Sequence, residues 1–208
     1  MFSRTWALLL LLFFLLAVPG LFAQEEQEPP PFDIDWIDFE ATVYARGDRT
    51  FTISLGMIFP TVFSGPGIVE NNHNLSLGGT GSLSFNYFLT PNIFVGGELS
   101  GMFSATRGGH MLFAIPFGVR AGYQFVYRRF EFPISLMVGA APQMMLEYRY
   151  FGLAVKPGVA AFWRFNADWS FGLNAVWWFL PQWASRDGID RSVFANFMVA
   201  TLSARYHF

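Results

Sequence analysis

From about Thr50 to Phe208, apolar residues recur at every second position, which is the period of an extended strand whose two faces meet different surroundings. Phe51, Ile53, Leu55, Met57 and Phe59 alternate with Thr52, Ser54, Gly56 and Ile58; Leu83, Phe85, Tyr87 and Leu89 alternate with Ser82, Ser84, Asn86 and Phe88. The rhythm recurs around residues 93–100, 113–121, 130–138, 153–163, 169–177 and 198–208, so the pattern predicts eight strands. A helical reading of the uncharged stretch Trp169 to Ser185 fails, because Ser170, Gly172 and Asn174 would scatter polar groups around a helix instead of gathering them on one face.

Eight amphipathic strands need a solvent for their apolar face. With 53% hydrophobic, 19% aromatic and only 13% charged residues, that solvent is not water. The sequence therefore predicts an all-β fold, an eight-stranded antiparallel up-and-down transmembrane β-barrel over residues 50–208. Short connections at Leu89–Asn92, Val126–Arg129 and Phe165–Asp168 alternate with the segments Pro60–Asn74, Ala105–His110, Ala140–Glu147 and Pro181–Arg191. In a bacterial outer membrane the short turns belong to the periplasm and the longer segments to the exterior.

Charge tests the choice of faces. Glu98, Arg120, Glu131, Lys156, Arg164 and Arg205 all fall opposite the apolar face, and the reverse parity would put Arg120 or Lys156 in lipid at roughly 2–4 kcal/mol each. The polar face is thus the lumen, and the six residues form a candidate lumenal charge network. Glu98 and Arg120 are expected to pair at mid-barrel with Lys156 joining them, while Glu131, Arg164 and Arg205 sit lower, near the periplasmic mouth. Tyr87, Phe130, Trp163, Trp169 and Tyr206 at one end, and Phe59, Phe103, Phe113, Phe151 and Phe179 at the other, read as interfacial girdles.

Ahead of the barrel, Arg4, the apolar run Ala7–Val18 and the Pro19–Gly20 break before Ala23 read as a signal peptide, residues 1–23. Twelve apolar residues are short against the roughly 20 of a spanning helix. Residues 24–49 form an acidic, proline-rich extension; seven of the 15 acidic residues lie between positions 24 and 40. Its alternating segment Phe39–Arg46 is compatible with three placements: in the periplasm, beside the first strand, or folded into the lumen.

The terminal run Leu202-Ser203-Ala204-Arg205-Tyr206-His207-Phe208 resembles the last strand of bacterial outer-membrane barrels, which ends in Phe with an aromatic residue two positions earlier. The resemblance implies that Leu202, Tyr206 and Phe208 form the signal read by the barrel-assembly machinery. Length and strand number resemble the small OmpA, OmpX and OmpW-type barrels, over about Thr50 to Phe208. That likeness implies a cell outer membrane location, lipid as surroundings, and a structural or small-solute role in which a hydrophobic compound passes or binds. The alternative is a surface-contact protein, for adhesion or immune interaction, acting through exterior loops.

Other chemistry finds little material. Lipid-modifying enzymes and proteases use similar barrels, but His73, His110 and His207 are the only histidines and none stands in an H-x-S arrangement. A His–Asp pair across loops, with Asp187 or Asp190, is the one arrangement left, and the chain is read as a non-enzyme. No ligand spacing suggests a metal and no glycine-rich loop suggests a nucleotide, so no cofactor is expected. The formal charge of −2 offers no nucleic-acid surface. Arg46-Gly47-Asp48 spells an integrin-binding tripeptide, yet a Gly turn flanked by charge is ordinary hairpin punctuation.

Overall fold

The computed structural model describes residues 44–66, 75–106, 108–145, 148–186 and 188–208. The signal peptide, most of the acidic extension, and His73 and Asp187 lie outside the described residues. Strands are β1 (Arg49–Ser64), β2 (Leu75–Phe88), β3 (Ile93–Thr106), β4 (Met111–Ala114), β5 (Phe117–Tyr127), β6 (Phe130–Met145), β7 (Tyr148–Arg164), β8 (Trp169–Gln182), β9 (Ser185–Arg186), β10 (Ile189–Asp190) and β11 (Val193–His207). Each barrel strand pairs antiparallel with its sequence neighbours, and β11 returns to pair with β1, so the sheet has no free edge. This closed, eight-stranded, all-β barrel contains no helix among the described residues, and Trp169–Gln182 is strand, not helix.

The fourth barrel strand is split. Pro116 has no N–H to give, so the ladder breaks between β4 and β5, while Ile115 N still donates to Pro142 O at 2.9 Å and Pro116 O accepts from Ser100 N at 2.8 Å. The two chain segments that close the ring meet end to end: Arg49 N donates to Phe208 O at 3.0 Å and Phe208 N to Arg49 O at 3.1 Å.

Face parity follows the sequence. In β1, Ile53, Leu55, Met57 and Phe59 are exposed while Thr52, Ser54 and Ile58 are buried; in β11, Met198, Ala200, Leu202 and Tyr206 face out and Ser203 and Arg205 face in. Several strands run 14–17 residues, longer than the roughly 9–11 that cross a bilayer at the usual tilt, so the wall continues beyond the hydrocarbon. This corrects the loop boundaries. Pro60–Ser64, Ala140–Met145 and Pro181–Gln182 are strand rather than loop, because the ladder runs on through proline-rich sequence wherever the missing N–H can be tolerated. The segment Pro181–Arg191 also holds a small β9–β10 hairpin that alternation did not reveal.

The tight turns match their sequence. Asn166 Oδ1 accepts from the backbone N–H of Asp168 and Trp169 at 3.0 and 2.8 Å, and Thr90 Oγ1 accepts from Ile93 N at 3.0 Å. Gly118 and Gly139 sit opposite each other across β5 and β6; a Cβ on either would come within 2.3 Å of a facing carbonyl oxygen. Two bare positions beside Glu98, which pairs with Gly118, keep that part of the lumen open to long side chains.

The inner face has two layers. Toward the loop end it is apolar, with Ile58, Met102, Leu112, Trp178, Leu180, Phe197 and Val199 buried against one another. Toward the tight-turn end it is polar and charged, closed below by Tyr44, Phe88 and Phe94.

Candidate functional site

Because inward residues on neighbouring strands stack at similar height, the lumenal charges gather into two clusters. In the upper one Glu98 receives two cations: Arg120 Nη1 lies 3.5 Å from Oε2, and Lys156 Nζ contacts Oε1. Ser100 Oγ donates to the same Oε1 at 2.9 Å. Arg120 also donates to Ser84 Oγ at 3.2 Å and Ser135 Oγ at 2.9 Å, spanning β2 to β6, and Lys156 Nζ lies 4.1 Å from the centre of the Trp178 ring. The structure thus places Glu98, Arg120 and Lys156 together.

In the lower cluster Glu131, fully buried, accepts three hydrogen bonds on Oε2 and faces a second cation across Oε1. Arg205 Nη1 donates to Oε2 at 3.0 Å, Gln124 Nε2 at 3.1 Å and Tyr44 Oη at 2.8 Å, while Arg164 Nη1 stands 3.7 Å from Oε1. Arg205 is further held by Gln124 Oε1 at 3.1 Å and stacks 3.8 Å from the Phe162 ring centre. Since the Tyr44 hydroxyl donates to Glu131, it accepts from His207 Nδ1 at 3.2 Å, which leaves Nε2 to accept from Ser170 Oγ at 2.7 Å. His207 is therefore a structural member of the lumen wall.

Tyr44 resolves part of the extension's placement. Its ring stacks on Phe88 at 3.9 Å and its hydroxyl reaches the charge cluster, so the chain just ahead of β1 folds into the tight-turn mouth. Burial, the largest influence, pushes its phenol well above the ordinary tyrosine range and keeps it a donor to Glu131. The Arg46-Gly47-Asp48 tripeptide forms the adjoining turn: Asp48 Oδ2 accepts from Ala45 N at 2.8 Å and Gly47 N donates to Phe88 O at 2.9 Å. Residues 39–43 lie outside the described residues. Sequence alternation missed Tyr44 and Gln124; the inward parity of His207, two positions from Arg205, was the available signal for that residue.

At the loop end a cavity of about 690 Å³ opens above the apolar layer. Phe63, Leu75, Leu112 and Ala195 supply apolar walls, Met144 and Met145 flank them, and His110, Gln143, Gln182, Arg149 and Tyr150 bring polar groups. Gln182 Nε2 donates to Gln143 Oε1 at 2.6 Å, and Tyr150 Oη accepts from Trp183 N at 2.8 Å. Asp190 is engaged by Ser192, whose N and Oγ donate to Oδ1 at 2.9 and 2.6 Å. Leu202 and Tyr206 face outward on β11, and Phe208, just past its end, is exposed as well.

Among solved structures, the outer membrane protein OprG from Pseudomonas aeruginosa matches with a TM-score of 0.54 at 10% identity, over 79% of this chain and 97% of that one. Neisserial surface protein A matches with a TM-score of 0.54 at 8% identity, over 78% and 97%. At such identities the likeness concerns the fold, a small transmembrane barrel. In sequence, an uncharacterized protein of Treponema pallidum (strain Nichols) is 31% identical over 137 residues, 66% of this chain and 62% of that protein. A second, from Borreliella burgdorferi, is 23% identical over 152 residues, 62% of this chain and 69% of the relative. The aligned part spans about three fifths of the Treponema protein's length. The model of an uncharacterised protein family matches residues 25–206, the whole barrel with the segment leading into it, and the chain belongs to that family.

Proposed function

We propose that the chain is an integral protein of a bacterial outer membrane whose lumen is sealed and whose work is done at the loop-end cavity, where an apolar or amphiphilic small molecule binds. The observation that carries this reading is the layered interior. Ile58, Leu180 and Phe197 are fully buried inside the ring and Trp178 nearly so, leaving no room for a water column, while the cavity above them is open and largely apolar. Transit of ions along the axis would have to displace that layer and then the Tyr44 stack. In this reading the signal peptide is removed on export, the assembly machinery acts on Leu202, Tyr206 and Phe208, and lipid covers the outward face. The protein catalyses nothing and needs no cofactor. Wall strands that outrun the bilayer support a second role, contact with other surfaces through the projecting rim.

Methyl-labelled methionine spectra of the refolded mature chain test the cavity. On titration with octanoate, Met144 and Met145 should shift saturably while lipid-facing Met57 and Met198 move only with bulk partitioning; Ala195→Trp, which fills the cavity, should abolish the difference. Equal behaviour of all four methyls would overturn the reading.

A further inference from the structure

Among the described residues, the upper lumenal cluster carries more cations than carboxylates. The whole inner face carries, among those residues, four cations, Arg120, Lys156, Arg164 and Arg205, and two carboxylates, Glu98 and Glu131. In the upper cluster Arg120 and Lys156 share the one carboxylate of Glu98, so among the described residues that cluster retains one positive charge, largely shielded between the apolar layer and the Tyr44 stack. Charge held out of water in this way requires a partner.

Beside the upper cluster lies a small cavity of about 30 Å³, room for one small ion or a water or two. Arg120 and Lys156 reach its wall, together with Ser54, Ser135, Asn174 and Thr201. These neutral groups are set to donate. Asn174 Nδ2 lies 2.5–3.2 Å from the hydroxyls of Ser54, Thr201 and Ser203, which therefore act as acceptors toward it. Ser135 likewise accepts from Arg120 Nη2 at 2.9 Å. The hydroxyl hydrogens of Ser54, Ser135 and Thr201 are left to point elsewhere, and Arg120 Nε has no acceptor among the described residues. Glu98 is the one carboxylate on this wall, and its oxygens are taken by Lys156, Arg120 and Ser100.

We propose that this cavity is a halide site, holding one chloride-sized monovalent anion between Arg120, Lys156 and the hydroxyls of β1, β6 and β11. The ion neutralises the upper cluster, accepts the hydrogens that side chains leave over, and is trapped when the barrel closes. A neutral lysine is the alternative route to balance, and it has no need of halide.

The test uses the mature chain refolded from urea into detergent micelles in sodium bromide, sodium chloride or sodium gluconate at equal ionic strength, so that general screening is constant. The urea midpoint should rise saturably with bromide and with chloride but not with gluconate, as binding to the folded state alone requires. Lys156→Met should flatten that dependence. Crystals grown in bromide should show an anomalous peak among Arg120, Lys156 and Asn174, and this measurement on the wild-type chain decides the matter if the variant does not refold. Identical midpoints in all three salts with no peak at that position, or a bromide seen only in the loop-end cavity, would overturn the site.

Discussion

A single carboxylate holds the lower lumen together. Glu131 is fully buried and meets Arg205, Arg164, Gln124 and Tyr44, so Glu131→Gln keeps the shape while taking from the buried Arg205 the carboxylate it pairs with. Loss of one partner from a buried ionic cluster costs roughly 3–5 kcal/mol. Urea unfolding of the refolded variant in micelles should register a loss of that order, and a change below about 1 kcal/mol would mean that water reaches the cluster. Glu98→Gln should cost less, because its site is partly exposed. The sequence disclosed these charges since period two assigns each residue a face, and Glu98, Arg120 and Lys156 could be matched in height from their strands. Tyr44 was hidden because it precedes β1, in the segment Phe39–Arg46 whose alternation is compatible with three placements and so specifies no direction.

At the scale of the element, β11 bears most. It pairs along its length with both β1 and β8, and its outward residues include Leu202, 71% exposed at mid-strand. Leu202→Arg puts a charge where lipid is expected and should destabilise the inserted barrel by roughly 2–4 kcal/mol in liposomes. Its effect in detergent should be much smaller; equal losses in both media would show that the residue does not face hydrocarbon. Alternation located all eight barrel strands but ended them early. Around Trp177-Trp178-Phe179-Leu180 and in the upper part of β11 both faces are apolar, one turned to lipid and the other to the buried layer, so the two-residue period disappears although the strand continues. The same loss of contrast concealed the apolar layer and with it the division of the lumen.

For the molecule as a whole, a sealed interior predicts electrical silence. Refolded protein whose gel mobility changes on heating, the mark of a closed barrel, should give no reproducible conductance steps in a planar bilayer. Steps altered by Glu98→Ala would show instead that the apolar layer parts. The sequence made the barrel legible because the membrane constrains every strand, whereas the cavity at its mouth depends on how strand ends and connections come together, which no local pattern encodes.

The paired backbone bonds between Arg49 and Phe208 bear on how such a ring is made. The seam joins the first and last barrel strands, so its registration waits for β11, and the seven hairpin-like pairings made before the seam closes leave an open sheet with two unsatisfied margins. Completion is therefore a late event, and a sheet without β11 is left with bare margins on β1 and β8 rather than closing as a slightly smaller barrel.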